Sequence, residues 1–172
     1  VLLNGTDKAG EFYRDAFFHL FQYVTNRIPE ISDELFRIDD AVCGGFGWDL
    51  GPFETWDAVG VSESIPKMEA AGYKPAQWVY DMLSSGNKSF YKSENGVKNY
   101  YDIPSKSYKG IPGRENFIIL ENKSENVIWK NAGAKIHDIG DGVINFSWYT
   151  KSYTLGSEVI GGMDHAISLA EK

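Results

Sequence analysis

The sequence predicts an α+β protein, because helical and strand patterns occupy different parts of the chain. In residues 11–86 apolar residues recur every three to four positions, which is the period of an amphipathic helix. After residue 86 come short segments rich in aromatic and β-branched residues, which are typical of strands. At 172 residues the chain is long enough for one or two domains. We therefore expect a helical domain over residues 1–86, a hairpin and linker over 87–126, and a second domain over 127–172.

Composition narrows the class of protein. Lys and Arg number 17 against 24 Asp and Glu, so the net charge is −7. A nucleic-acid-binding protein would concentrate positive charge, and we expect no nucleic-acid partner. No apolar run approaches the ~20 residues that a membrane span needs. The single cysteine, Cys43, excludes an internal disulfide. The predicted location is the cytoplasm.

Five helices are predicted in the first 86 residues. The first covers residues 11–28 and ends before a proline, which cannot continue a helix. The second is capped by Ser32 or Asp33 and ends at Gly44-Gly45. The other three are predicted at residues 53–59, 64–71 and 75–85. On the first helix, the apolar stripe is predicted to comprise Phe12, Ala16, Leu20 and Val24, widened by Phe17, Phe21 and Ile28.

The rest of the chain predicts strands and one more helix. Asn95-Gly96 lies between two strand-like segments and indicates a β-hairpin. Residues 102–116 contain several glycines and prolines, which interrupt helices and strands, and we interpret this segment as a linker. The remaining predicted elements are strands at 127–129 and 143–149, a turn at 138–142, and a helix that begins near Ser157.

A glycine-rich segment superficially matches a dinucleotide-binding loop. Gly45 and Gly47 have the right separation, but they follow a helix rather than a strand. Leu50 occupies the position of the third glycine. We interpret this segment as a structural turn, and no residue of the chain is predicted to bind a cofactor.

The histidines give no catalytic or metal site. His19, His137 and His165 each lack a second His or Cys at metal-ligand spacing. Asp164, His165 and Ser168 supply the residue types of a catalytic triad, but they lie on one short helical stretch. We interpret them as a solvent-facing side of a helix.

The densest group of signals lies in residues 38–61, a helix followed by a glycine-rich turn and a second helix. Phe46, Trp48, Phe53 and Trp56 are expected to pack this corner. Asp57 has two alternatives: it accepts hydrogen bonds at the turn, or it faces solvent. The residues predicted to carry the structural motif are Asp39, Gly45, Gly47, Gly51, Pro52, Phe53, Asp57 and Gly60.

The order Ile-Asp-x-Ala, Gly-Phe-Gly-Trp and Gly-Pro-Phe-Glu-x-x-Asp-x-x-Gly in residues 38–60 resembles the C-terminal helical domain of 3-hydroxyacyl-CoA dehydrogenases. Residues 140–156 and the helix after them resemble the opening of the enoyl-CoA hydratase (crotonase) fold. Together these resemblances imply a fragment from the middle of a fused fatty-acid β-oxidation enzyme. Its parent would hydrate a 2-enoyl-CoA and oxidise the resulting 3-hydroxyacyl-CoA with NAD.

The same resemblance implies that the fragment itself has no catalytic residue. In the family, an N-terminal Rossmann domain holds NAD and supplies the His–Glu pair. The family's active-site Asn lies in a Gly-Phe-x-x-Asn-Arg run, whereas the comparable residues 10–14 contain no Asn. The chain thus resembles a second, non-catalytic copy of the helical domain. Its implied roles are domain packing, homo-oligomerisation and contact with the parent's acyl-CoA substrate.

Two expectations remain open at this point. Because Phe, Trp and Tyr make up 15% of the chain, the alternative function is a stand-alone aromatic-rich binding or protein-interaction module. In addition, a truncated crotonase opening would lack most of its own core. We expect Ile144, Phe146, Trp148, Met163 and Ile167 to find a substitute, either on residues 11–86 or in a second copy of the chain.

Overall fold

Helices fill the first part of the chain, and two small antiparallel sheets follow them. This computed structural model describes residues 2–94, 97–114, 118, 120 and 125–171. The mixture of helix and sheet confirms the predicted α+β class. The chain divides into two compact units, residues 1–115 and 116–172. The predicted domain boundaries at residues 86 and 126 stay predictions.

The five helices of the first unit follow one another with short connections. Each lies where the sequence predicts a helix, with ends that differ by a few residues. Their bounds are α1 Lys8–Asn26, α2 Leu35–Phe46, α3 Pro52–Val59, α4 Val61–Ala70 and α5 Gln77–Ser84.

Helix α1 begins at a side-chain cap and buries a face different from the predicted one. The Asp7 carboxylate accepts a hydrogen bond from the Gly10 amide at 2.9 Å, which satisfies one of the free amides of the first turn. Phe18, Phe21 and Val24 are buried, whereas Phe12 is 68% exposed, so the predicted stripe is wrong at its start. A four-residue spacing drifts by about 40° per step around a helix of 3.6 residues per turn. Over three steps this drift carries Phe12 away from the buried face.

Helix α2 runs past the predicted stop. Gly44 and Gly45 are helical, and the helix ends at Phe46, followed by Gly47 in the left-handed conformation (φ 67°). Phe46 is 77% exposed and Trp48 is 44% exposed, so the prediction that they pack the corner is wrong. The reason is their position: α2 meets α3 at Asp39, about two turns before its C-terminal end, and residues 44–50 extend beyond that contact.

A three-stranded antiparallel sheet follows the helices. Its strands are β1 Tyr91–Glu94, β2 Val97–Asp102 and β3 Ser107–Gly110, in that order. The pairing of Glu94 with Val97 confirms the predicted hairpin, while its Asn95-Gly96 turn lies outside the described residues. Strand β3 corrects the prediction of a linker over residues 102–116. Its sequence has little strand propensity, and pairing with β2, including Tyr101 opposite Tyr108, holds it in the sheet.

Aromatic side chains join the helices and this sheet in one core. Phe21 stacks on Trp56 with ring centroids 4.8 Å apart. Phe90, directly before β1, meets Phe53 at 5.1 Å and Trp56 at 5.3 Å. All four rings are fully buried. The beginning of the sheet is therefore packed into the same core as helices α1 and α3.

The second unit is a β-meander covered by a helix. Strands β4 Val127–Lys130, β5 Ala134–Gly140 and β6 Val143–Trp148 are antiparallel and adjacent in that order, and α6 spans Ser157–Ala170. Strand β5 is a correction, because no strand was predicted over residues 134–140 and residues 138–140 were expected in a turn. Asp and Gly are typical turn residues, but here they lie within the paired strand, next to an irregularity in the β5–β6 pairing.

Helix α6 packs on its sheet through a small residue. A Cβ atom at Gly162 would lie 2.7 Å from the Phe146 ring and 3.1 Å from the Trp129 ring, so glycine permits this close approach. Val159 is buried beside it. Met163 and Ile167 are exposed, because the close contact turns the Val159–Gly162 side of the helix inward. That another segment or a second copy covers them stays a prediction.

Among the residues that the structure describes, none of the helices combines the length and apolar character that a bilayer span requires.

Candidate functional site

Six of the eight predicted motif residues lie around helix α3. They are Asp39, Gly51, Pro52, Phe53, Asp57 and Gly60. Gly45 and Gly47 do not join them and lie at the exposed C-terminal end of α2.

Asp39 is the centre of a buried hydrogen-bond network. It lies on α2 and is 2% exposed. Its Oδ1 accepts from the Phe53 amide at 2.9 Å, and its Oδ2 accepts from the Glu54 amide at 3.1 Å. Oδ2 also accepts from the Tyr91 hydroxyl at 2.8 Å. Asp39 therefore caps the N-terminus of α3 from another helix and ties strand β1 to the same point.

The start of α3 is shaped to receive this carboxylate. A Cβ atom at Gly51 would lie 2.3 Å from the Asp39 Cβ and 2.4 Å from its Cα, so only glycine allows the two segments to approach. The Gly51 amide donates to Glu54 Oε2 at 3.0 Å, the reciprocal half of a capping arrangement. Pro52 follows as the first helical residue, where its missing amide hydrogen costs nothing.

Asp57 makes a second link between α3 and the sheet. Its two carboxylate oxygens accept from the Phe90 amide at 2.8 and 3.0 Å. Oδ2 also accepts from the Tyr91 amide at 2.9 Å. Of the two alternatives for this residue, the structure therefore shows the hydrogen-bonded one. Its partners are not at the turn but at the start of the sheet, in Phe90 directly before β1 and in Tyr91, the first residue of β1.

Charge around the network is only partly balanced. Lys98 on β2 forms an ion pair with Glu54, and its Nζ lies 4.4 Å from the centroid of the Tyr91 ring. Burial raises the pKa of Asp39 to about 6 and that of Asp57 to about 7, against an ordinary value of 3.8. The backbone hydrogen bonds oppose this rise. Burial and the neighbouring Asp39 carboxylate raise the pKa of Tyr91 well above its usual range.

The sequence did not single out several members of this network. Glu54 could have been found, because a helix start followed three residues later by Glu is a capping signal. Phe90, Tyr91 and Lys98 carry no comparable signal, since they lie 33 to 52 residues from the carboxylates or glutamate that they contact. Chemically, the network satisfies buried carboxylates with internal donors. This arrangement stabilises a corner of the fold.

This network predicts an inverse dependence of stability on pH. Between about pH 4 and pH 7 the native carboxyls of Asp39 and Asp57 retain protons that the unfolded chain has lost. Raising the pH through this window therefore favours unfolding. We expect urea-unfolding midpoints to fall from pH 4.5 to pH 7.5. Asp39→Asn should weaken the dependence, and Asp40→Asn on the exposed side of α2 should preserve it. A midpoint that rises over this range would contradict the expectation.

The other sequence candidates do not assemble into a reactive site. Ser168 donates its hydroxyl to the backbone carbonyl of Asp164 at 2.9 Å, and the His165 ring stacks on Trp129 at 5.2 Å. These contacts do not form a triad. In the part of the chain that the structure describes, no group of three or more His, Cys, Asp or Glu residues is placed to hold a metal ion.

The described residues form no Rossmann-type dinucleotide site. A Rossmann-type site needs parallel strands whose carboxyl ends meet a helix N-terminus. Both sheets here are antiparallel, and the glycines around Gly45 lie at the end of a helix.

Two curated proteins are similar to this chain. One, from Bacillus subtilis, is named probable 3-hydroxyacyl-CoA dehydrogenase and is 36% identical over 162 residues, which cover 93% of this chain and 20% of that protein. The other, from Rickettsia felis, is named putative fatty acid oxidation complex trifunctional enzyme and is 24% identical over 133 residues, covering 71% of this chain and 18% of that protein. No family model and no solved structure matches. The chain spans about a fifth of the length of these relatives, and their names support the 3-hydroxyacyl-CoA dehydrogenase family that residues 38–60 indicate.

Proposed function

We propose that this chain is a non-catalytic part of a fatty-acid β-oxidation oxidoreductase and that its role is domain packing and dimerisation. The observation that carries the proposal is the similarity to the Bacillus subtilis protein over 93% of the chain. The carboxylate network supports it, because Asp39 and Asp57 accept hydrogen bonds from the fold itself. In this proposal the parent oxidises 3-hydroxyacyl-CoA with NAD held outside this chain, and it also hydrates enoyl-CoA.

The two units receive different assignments in this proposal. The helices of residues 1–86 correspond to a dehydrogenase C-terminal-like domain, and residues 127–172 correspond to the opening of a crotonase-like domain. The parent acts in the cytoplasm as a homo-oligomer on acyl-CoA substrates. The exposed apolar side chains Ile160, Met163 and Ile167 on α6 support association, because uncovered apolar surface favours contact with another chain or segment.

An activity assay tests this proposal. We expect the purified 172-residue chain to produce no NADH above a buffer blank when given 3-hydroxybutyryl-CoA and NAD. The reason is that the described residues offer no dinucleotide site. The full-length Bacillus subtilis relative, assayed in parallel, is the positive control. Sustained NADH formation by the chain alone would contradict the non-catalytic role.

One observation favours the alternative of a stand-alone interaction module. Phe46, Trp48 and Leu50 are exposed within five consecutive positions at the end of α2. In the packing proposal another part of the parent covers them, and amide hydrogen exchange of residues 44–50 is slower in the full-length protein than in this chain. Equal exchange rates in both proteins favour the interaction module.

A further inference from the structure

Strand β6 differs from the other three edge strands of the two sheets that the structure describes. Strands β1, β3 and β4 are four residues long, and each contains a lysine: Lys92, Lys109 and Lys130. Short length and lysines keep an edge strand from pairing with another chain. Strand β6 has six residues, Val143–Trp148, with no charged side chain and no proline. Among these four edges, β6 is therefore the one open to a further strand.

The outer edge of β6 presents the main-chain groups of alternate residues. The Tyr149 amide donates to the Gly133 carbonyl at 2.9 Å, and this pair continues the register of β5 and β6. In an antiparallel ladder, hydrogen-bonded and non-hydrogen-bonded pairs alternate along the strands. Counting back from Tyr149, the amides and carbonyls that point outward belong to every second residue: Ile144, Phe146 and Trp148.

The sequence of β6 is complementary to itself about Phe146. In an antiparallel pairing of two copies centred on this residue, Phe146 lies opposite its counterpart and Ile144 lies opposite Trp148. On the other face, Asn145 lies opposite Ser147. Apolar side chains thus meet apolar ones and polar side chains meet polar ones, which are pairs that stabilise a sheet. The same register uses all of the outward-facing residues and gives ~6 main-chain hydrogen bonds.

Charges beyond the two ends of β6 fit the same pairing. Asp141 lies five positions before Phe146, and Lys151 lies five positions after it. Asp141 of each copy therefore comes to the end of the strand where Lys151 of the other copy lies. Both residues are exposed, and within the described part of the chain neither takes part in an ion pair. Pairing of two copies brings each of them close to an opposite charge.

Helix α6 places apolar side chains on the same side as this edge. Its His165 ring stacks on Trp129 of β4, so that side of the helix faces β4. Met163 and Ile167 each lie two positions from His165, about 160° away around the helix. They are 44% and 57% exposed and point away from β4, toward the β6 edge. Because α6 lies over β5 and β6, joining two copies at β6 brings their α6 helices to about 10 Å, a usual helix-packing distance.

We propose that a second copy of this chain pairs with β6 about a two-fold axis, so that the two sheets form one six-stranded antiparallel sheet. On one face of this sheet, Met163 and Ile167 of the two α6 helices cover one another. A two-fold interface uses the same surface of both copies, as the register centred on Phe146 does. This surface rests on the homo-oligomer of the proposed function and assigns the contact that forms it.

Sedimentation velocity and amide hydrogen exchange of the 172-residue chain, each at low and high protein concentration, test this surface. We expect a monomer–dimer equilibrium. In the dimer, the amides of Ile144, Phe146 and Trp148 should exchange at least tenfold more slowly than in the monomer. The amides of Asn145 and Ser147 should exchange slowly at both concentrations, because they already donate to β5. Only pairing along the outer edge of β6 produces this alternation.

Exchanging the end charges gives a second test. Asp141→Lys and Lys151→Glu should each raise the dissociation constant of the dimer about tenfold, because the two-fold axis repeats each repulsive contact twice. The double variant should dimerise nearly as well as the unaltered chain and better than Asp141→Lys, which has the same altered turn. Ile144→Pro removes an outward-facing amide and should abolish dimerisation. Its control, Ile144→Thr, keeps the amide and should still dimerise.

The possible failures are distinguishable. A dimer whose outward amides still exchange fast, a folded Ile144→Pro variant that dimerises normally, or a double charge variant that does not recover would overturn this surface and leave the homo-oligomer in place. A chain that stays monomeric would overturn both and leave the edge to a strand from another protein segment. The NADH assay does not depend on association, so it tests the rest of the proposed function separately.

Discussion

Phe53→Ala should lower the free energy of unfolding of the first unit by ~3–5 kcal/mol, the usual cost of deleting a buried phenyl ring. Phe53 is 0% exposed and meets the rings of Phe90 at 5.1 Å and Trp78 at 6.1 Å. Its removal leaves a cavity at the point where helix α3 meets the sheet. The loss should appear as a lower midpoint in urea unfolding followed by tryptophan fluorescence.

Phe46→Ala is the matched control for this experiment. The same side chain is removed, but Phe46 is 77% exposed at the end of α2. We expect a change within ~0.5 kcal/mol, as for surface substitutions away from special features. Comparable losses in the two variants would show that Phe53 is not packed in the core against Phe90.

Gly51→Ala should destabilise the first unit by ~3 kcal/mol, at or above the upper end of ordinary overpacking. The added methyl group meets the backbone and Cβ of Asp39 rather than a flexible side-chain end. The clash between this methyl group and Asp39 is removed only if α2 and α3 move apart. That movement weakens the hydrogen bonds from the amides of Phe53 and Glu54 to Asp39. Chemical unfolding and amide exchange at these two residues measure both effects.

Gly45→Ala is the control that distinguishes the clash with Asp39 from the general effect of replacing a glycine. Gly45 is helical and exposed, and no atom outside the local helix backbone lies within 4 Å of a Cβ placed there. Alanine should stabilise the helix by ~0.5–1 kcal/mol through its better helix propensity. The two substitutions are therefore expected to change stability in opposite directions. Destabilisation by both would mean that the Asp39 contact is not the cause.

These expectations identify the Gly-Pro-Phe segment as a structural junction. Asp39 comes from α2, the amides of Phe53 and Glu54 from α3, and the Tyr91 hydroxyl from β1. Asp57 adds the backbone of Phe90 and Tyr91. Three parts of the chain, α2, α3 and β1, thus depend on two carboxylates, so these motif residues hold the first unit together.

Local sequence patterns were sufficient to predict the helices and part of the two sheets. Apolar spacing with proline and glycine stops located α1 to α5, and Asn95-Gly96 indicated the β1–β2 hairpin. These signals act within about ten residues, where propensity and turn chemistry decide the backbone. The same local rules failed for β3 and β5. Residues of β3 and of the end of β5 resemble a linker or a turn, and they form strands by pairing with a neighbouring strand.

The sequence by itself therefore determined the helical first part, the α+β class and the motif in residues 38–60. Only the tertiary structure decided which motif residues meet. Asp39 and Tyr91 are 52 residues apart, and Asp57 and Phe90 are 33 apart, so no local pattern predicts their hydrogen bonds. Tertiary packing also left Phe46 and Trp48 exposed, although large aromatic side chains of this kind are expected in a core. The physical reason is that burial depends on which surfaces other segments cover, whereas helix and turn signals depend on neighbours along the chain.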